Sequence, residues 1–353
     1  MSRFFSEKYA ALDAYVPGEQ PKDMQYIKLN TNESPFPPPA AVVEAAKTEA
    51  GLLHLYSDPE CTKFIEKATE IWKVKKGQIL ATNGSDEILN FAFMAFCDQS
   101  HPIVFPDITY GFYKVFAELN GVPYETIPLK EDFSMDPKDY MGIGKNIVIA
   151  NPNAPTGLAL SVQEIEEIVK SNPNNVVIID EAYVDFGAES CVPLIEKYDN
   201  LLVTQTFSKF RSLAGGRLGL GIAQESLIAD LNTVKYSTNP YNVNRMTMMA
   251  GYAALCEDEY FQTNGKKICK TRAFVTDALR ELGFEVLESK TNFVFARSSE
   301  IDGKDLYLQL KSKGILVRHF DKARIADFNR ITIGTNEQMH VFLDAIKQIL
   351  NKE

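Results

Sequence analysis

The middle of the chain alternates short β-branched runs with stretches of helical period. Ile147-Val-Ile-Ala150, Val176-Val-Ile-Ile-Asp180, Leu201-Leu-Val-Thr204 and Leu218 to Ile222 read as strands. Between the first two, Ser161 and Glu164 stand at capping-box spacing, and Val162, Ile165, Ile168 and Val169 recur along one face of a helix. That is a βαβ crossover, the unit of an α/β fold whose large domain has a mostly parallel sheet covered by helices. Val176 to Ile179 is apolar at every position, as suits a sheet buried on both faces. In such sheets ligands gather beyond the carboxyl ends of the strands, so chemistry is sought directly after them.

From about residue 260 the pattern changes. A helix near Arg272 to Leu282, strands near Phe284 to Leu287 and Asn292 to Ala296, and a helix at Gly303 to Lys313 come first; Ile315 to Arg318, the strand Arg330-Ile-Thr-Ile-Gly334 and a final amphipathic helix over Glu337 to Leu350 follow. These predict a smaller α+β domain. The first 30 or so residues lack a strong period and read as an extended arm with turns. The organisation expected is an arm over 1–30 that belongs with the small domain, a large domain over 31–255 and a small C-terminal α+β domain over 256–353.

At 353 residues the chain can bury a large core, and 45% hydrophobic with 24% charged residues is ordinary globular composition. The 37 basic against 47 acidic residues leave a net charge of −10, the wrong sign for holding nucleic acid by its phosphates. Cysteines 61, 97, 191, 256 and 269 form no Cys-x-x-Cys pair and the N-terminus has no apolar signal core, which predicts a cytoplasmic home. The longest uncharged apolar run, Ile88 to Cys97, is far short of the roughly 20 residues that span a bilayer. Histidines 54, 101, 319 and 340 are dispersed, so no metal site is expected. Gly216-Arg-Leu-Gly-Leu-Gly221 enters a strand rather than a helix, the reverse of a dinucleotide fingerprint.

Several polar groups follow strands. Lys209, in Thr206-Phe-Ser-Lys209, is either a solvated loop lysine or a Schiff-base nucleophile. Asp180 ends an apolar strand, where a carboxylate is costly unless a cation or donor meets it; a protonated pyridine nitrogen is one such partner. Asn151-Pro-Asn-Ala-Pro-Thr-Gly157 is either an ordinary strand-to-helix turn or one that presents the Asn151 amide to a ligand. Asn83-Gly-Ser-Asp-Glu87 opens an amphipathic helix whose first amides suit a phosphate, or simply caps it.

Taken together, in order, these stretches resemble the fold-type I pyridoxal-phosphate aminotransferases, which share the aspartate-aminotransferase-like fold, and within them the histidinol-phosphate aminotransferases. Leu29-Asn-Thr-Asn-Glu-Ser-Pro35, Thr109-Tyr-Gly-Phe-Tyr113, Asp180-Glu-Ala-Tyr183 and Arg330-Ile-Thr-Ile-Gly-Thr335 complete the set, which covers essentially the whole chain. The resemblance implies pyridoxal 5′-phosphate as cofactor. Lys209 would carry it and, once displaced by substrate, shuttle the proton; Asp180 would pair with the pyridinium nitrogen, Asn151 and Tyr183 would hydrogen-bond the phenolic oxygen, and Tyr110 would stack on the ring. Gly84, Ser85, Asp86, Ser208 and Arg217 would hold the phosphate, with Tyr56 reaching it from the neighbouring subunit of a homodimer.

For substrate, the resemblance assigns Arg330, Arg318 and Tyr15 to one pocket. Two arginines are more than one carboxylate requires and suit a phosphorylated dianion; alternatively Arg318 pairs with Asp321 or another surface acid. The implied reaction moves the amino group between L-histidinol phosphate and 2-oxoglutarate in histidine biosynthesis. An aromatic amino-acid aminotransferase or a threonine-phosphate decarboxylase of the same fold would share every cofactor contact. A sensor domain of a transcription regulator would need a basic helix-turn-helix extension, which the negative charge opposes. Phe210-Arg211-Ser212 departs from the family pattern, and Arg211 either adds charge near the cofactor or faces solvent.

Overall fold

A computed structural model describes residues 2–10 and 12–352. Its strands are β1 (Ile27–Lys28), β2 (Ile79–Thr82), β3 (Ile103–Pro106), β4 (Tyr124–Ile127), β5 (Asn146–Ala150), β6 (Val177–Asp180), β7 (Leu201–Thr206), β8 (Gly219–Ala223), β9 (Phe284–Val286), β10 (Phe293–Ser298), β11 (Ile315–Leu316), β12 (Arg318–His319) and β13 (Asn329–Thr332). The helices are α1 (Ala40–Ala50), α2 (Thr62–Trp72), α3 (Ser85–Phe96), α4 (Phe112–Asn120) and α5 (Val162–Ser171), then α6 (Glu225–Thr238), α7 (Arg245–Cys256), α8 (Asp258–Glu281), α9 (Gly303–Ser312) and α10 (Asn336–Ile349). Among the described residues, no helix is long and apolar enough to cross a membrane.

Seven strands form one sheet in the order β2-β8-β7-β6-β5-β3-β4, in which only β8 runs against its neighbours. Strands β5, β6 and β8 are buried at every position, so both faces of this sheet are covered, as their uninterrupted apolar runs require. The parallel strands end along one edge, and β8 begins there. A second sheet, β12-β13-β10-β9, is antiparallel.

Helix α5 starts where its sequence says it should: the Ser161 hydroxyl accepts from the Glu164 N–H while the Glu164 carboxylate accepts from the Ser161 N–H. Helix α8 begins at Asp258, well before the expected start near Arg272. Its first half buries Phe261, Asn264, Gly265 and Ile268, a stripe too polar to read as apolar. Gly265 is needed there, because a Cβ would lie 2.4 Å from the Phe210 ring. The single strand expected over 315–318 is split. β11 pairs in parallel with β1 of the N-terminal arm, whereas β12 pairs with β13. Strands β2, β3 and β4, four residues each, are too short to show a period.

Candidate active site

Five connections leave the sheet's common edge and meet around Lys209. The Thr82–Ser85 turn follows β2, the loop with Tyr110 follows β3, the Asn151–Gly157 turn follows β5, Asp180 ends β6, and Ser208 and Lys209 follow β7. Two cavities of about 220 and 310 Å³ adjoin here, sharing Thr31, Tyr110, Ala154, Tyr183 and Lys209 as wall.

Asp180 forms the floor of the smaller cavity. Register places it opposite Thr204 on β7, whose hydroxyl reaches its Oδ1 at 3.3 Å, and the buried Tyr113 hydroxyl donates to its Oδ2 at 2.8 Å. Burial outweighs these donors and pushes the carboxyl up to about 6. A cationic partner inside the cavity would relieve that penalty. Tyr113 and Thr204 were not assigned from sequence. Tyr113 lies within a noted stretch, but Thr204 is found only through strand register.

At the cavity's other end, Gly84 adopts φ +78° and α3 starts at Ser85. The first amides of a helix have no intrahelical acceptor, so those of Ser85 and Asp86 are available to an anion. Arg217 donates to Asp86 Oδ2 at 3.1 Å and to Ser208 Oγ at 3.4 Å, and Tyr110 donates to Asp86 Oδ1 at 2.7 Å. Strand β8 must approach this turn closely: a Cβ on Gly219 would lie 2.4 Å from the Ser85 nitrogen.

Lys209 Nζ donates to the Thr31 carbonyl at 3.0 Å. Burial first, and then the Arg330 charge, lower its ammonium to about 8. Tyr183 stands beside it, its oxygen accepting from Asn32 Nδ2 at 2.8 Å.

The larger cavity is lined by Tyr15, Lys209, Arg318, Lys322 and Arg330 and, among the described residues, by no carboxylate. Arg330 lies between the rings of Phe293 and Phe320, gives Nη2 to the Asn30 carbonyl at 3.0 Å and leaves its buried Nε without a partner. Its guanidinium is held below the usual value by burial. Arg318 reaches the Pro17 carbonyl at 3.4 Å rather than Asp321, which faces His319 at 3.4 Å. Tyr15 packs on Phe112 with ring centroids 4.2 Å apart and so closes the cavity from the arm.

Two placements differ from the sequence reading, those of Asn151 and Arg211. The Asn151 amide turns away from the cavity, accepting from the Leu160 N–H at 2.8 Å and donating to the Leu160 carbonyl at 3.1 Å, and it lines a neighbouring cavity with Leu129 instead. Asn153 is likewise spent, holding the Ile108 carbonyl and the Thr109 hydroxyl, and Ala154 is what the turn presents to Lys209. Arg211 neither adds charge to the cavity nor faces solvent: it is buried, bonded to the Ala254 carbonyl at 3.2 Å and paired with Asp258 at 2.7 Å. Tyr56, expected at the site of a neighbouring subunit, is 80% exposed, lines neither cavity of its own chain and stacks its ring on Tyr241.

The residues present suit pyridoxal phosphate. A buried carboxylate short of a cation, an amine of depressed basicity and a helix start backed by a guanidinium match a pyridinium, an aldehyde and a phosphate. The family described as aminotransferase class I and II matches residues 24–346. The histidinol-phosphate aminotransferase of Brachyspira hyodysenteriae is 49% identical over 353 residues, covering 99% of both chains. That of Clostridium beijerinckii is 46% identical, over 99% of this chain and 98% of its own. In fold, the chain matches the histidinol-phosphate aminotransferase from Sinorhizobium meliloti, crystallised in complex with pyridoxal-5′-phosphate, with a TM-score of 0.89 at 21% identity over 99% of this chain and 98% of that one. With its sequence matched over nearly the full length, this chain belongs to the class I and II aminotransferases and stands among the histidinol-phosphate aminotransferases within them.

Proposed function

We propose that the protein transfers the amino group of L-histidinol phosphate to 2-oxoglutarate, giving imidazole acetol phosphate and glutamate, as a step of histidine biosynthesis in the cytoplasm. The observation that carries the substrate is the larger cavity, where Arg318, Arg330 and Lys322 face the space beside Lys209 and, among the described residues, no carboxylate lines it. Arg330, whose Nε is buried without a partner, is costly without an anion, and a phosphate dianion bound by guanidinium forks offsets that cost.

When bound, pyridoxal phosphate supplies a protonated ring that withdraws the electron pair left as the substrate's Cα proton departs. The chain's residues hold and steer around it. Asp180 receives the ring nitrogen and keeps it protonated. The amides of Ser85 and Asp86 next to Gly84, with Ser208 and Arg217, hold the phosphate, and Tyr110 covers a face of the ring. Lys209, partly neutral at physiological pH, takes up the Cα proton and returns it to the cofactor side. Arg318 and Arg330 orient the substrate by its phosphate, and Tyr15 excludes water above it. The Asn151 assignment has no support in the geometry, which leaves Tyr183 to meet the phenolic oxygen.

A homodimer with shared sites belongs to the same reading. Leu53, Leu55, Tyr56 and Tyr241 are 61, 52, 80 and 43% exposed, a patch that a second copy would cover, and Tyr56 would then reach the partner's phosphate site.

Specificity is the test. With 2-oxoglutarate as acceptor, kcat/KM for histidinol phosphate is expected to exceed that for phenylalanine and tyrosine by orders of magnitude. Arg318→Ala is expected to lower it by about 10- to 100-fold, the loss of one charge-assisted contact, while leaving the slow aromatic reactions nearly unchanged. Comparable turnover of the aromatic amino acids, insensitive to Arg318, would identify an aromatic aminotransferase instead.

A further inference from the structure

The stretch Leu29-Asn-Thr-Asn-Glu-Ser-Pro35 runs as a strap between β13 and the site. The carbonyl of Asn30 meets Arg330, that of Thr31 meets Lys209, and the side chain of Asn32 meets Tyr183. Asn32 is buried and holds φ +56°, a left-handed conformation that Asn tolerates better than most residues. Its backbone carbonyl is clamped by Asn292 Nδ2 at 3.0 Å.

The hydrogen bonds around Asn32 have one placement of protons that pairs every buried donor there. The Asn32 backbone N–H lies 3.0 Å from Thr332 Oγ1 and can only donate. Thr332 is buried and its hydroxyl hydrogen meets no other acceptor among the described residues, so that hydrogen goes to the Asn32 side chain at 2.9 Å and the atom receiving it is Oδ1. The amide is thereby oriented with Nδ2 toward Tyr183, where it donates to the phenolic oxygen. Tyr183 has a single hydroxyl hydrogen, and Asn32 offers it no acceptor. That hydrogen is left to point into the cavity shared with Lys209.

We propose that Asn32 is a positioning residue that sets the polarity of Tyr183, compelling its hydroxyl to act as a donor to the phenolic oxygen of the bound cofactor. The inference rests on the pyridoxal-phosphate reading above. It gains weight from Ala154: the turn after β5 brings no amide to the cavity, so Tyr183 makes this contact without a second donor from that side. Thr332 lies on the same strand as Arg330, so the strand that bears a substrate arginine also fixes the phenol's proton.

Asn32→Asp tests this directly. Aspartate has nearly the same shape and tolerates positive φ, but an ionised carboxylate can only accept, so it would draw the Tyr183 proton out of the cavity. The reading is the pH midpoint of the visible absorbance change of the pyridoxal-phosphate-loaded enzyme, followed in wild type, Asn32→Asp, Tyr183→Phe and the double variant. A donor on the ring oxygen favours the unprotonated Lys209 nitrogen beside it, so losing the donor raises the midpoint. Asn32→Asp is expected to raise it by about one pH unit or more with Tyr183 present, and by less than half as much without its hydroxyl. Glu33, Asp86, Asp180, Arg217, Arg318, Lys322 and Arg330, with Tyr15 and Tyr110, also face the cavities and are unchanged throughout. Equal shifts in both backgrounds would reduce the effect to added charge and overturn the proposal, as would no shift. Should Asn32→Asp fail to fold by thermal melting, Asn32→Gly keeps the backbone conformation without charge. It is expected to raise the midpoint only where Tyr183 keeps its hydroxyl, and an unchanged midpoint would overturn the proposal. A wild-type enzyme that gains no visible band with pyridoxal phosphate would overturn the cofactor reading as well, which separates the two failures.

Discussion

Lys209 and Asp180 are ionisable groups that burial pushes in opposite directions, the amine down to about 8 and the acid up to about 6. Both shifts lessen charge in the cavity, and each leaves a group ready for a ligand of complementary chemistry. For Lys209 the sign is simple: only the neutral amine attacks a carbonyl, and its fraction grows as pH rises through the lowered value. The rate at which the cofactor-free enzyme takes up pyridoxal phosphate is therefore expected to climb with pH and level off above about 8, as followed by stopped-flow absorbance. Arg330→Gln removes a neighbouring positive charge and should move that midpoint upward. A midpoint near 10.5, the value of a free lysine, would contradict the assigned environment. Lys209, Asp180 and Arg217 were legible because each is a charged group standing just after or just before a strand. Asn151 was misread for a related reason: several amides crowd one turn, and which of them faces the cavity depends on backbone torsions that spacing does not reveal.

Among the elements, the start of α3 bears most directly on ligand binding, and it depends on a residue from a distant strand. Gly219 on β8 admits the Gly84–Ser85 backbone only because it lacks a Cβ. Gly219→Ala is expected to displace that turn and weaken pyridoxal-phosphate affinity by about tenfold or more, the effect of losing one or two charge-assisted bonds. Ser161→Ala, which removes the cap of α5 away from the site, should cost about 1 kcal/mol of stability and leave affinity unchanged. Equilibrium titration by absorbance and thermal melting distinguish the two. Helix α5 could be read from the sequence because its cap and its stripe are both local. The first half of α8 could not, since the ring that Gly265 accommodates belongs to Phe210, far away in sequence.

For the whole molecule, the sheet gathers at one edge groups spread from Gly84 to Arg217, and the arm and β13 add Tyr15, Thr31 and Arg330 from the chain's two ends. In the proposed dimer, the exposed patch around Tyr56 would extend this logic to a second copy. If sites are shared, a Lys209→Ala subunit paired with a Tyr56→Ala subunit restores one complete site. Co-refolded equal mixtures are then expected to recover about a quarter of wild-type activity, from half the dimers with one good site each. Activity equal to the mean of the two parents would place each site within a single subunit.

Local pattern was sufficient for the order and type of the central strands, for the βαβ crossover and for the charged groups at strand ends, because each is written in residues close together along the chain. The partners of those groups were not. Tyr113 and Thr204 reach Asp180 through packing and register, and the orientation of Tyr183 depends on Asn32 and Thr332, which are separated by most of the chain. Hydrogen-bond direction and cavity shape arise from contacts between distant segments, so they took form only once the two sheets and the arm came together.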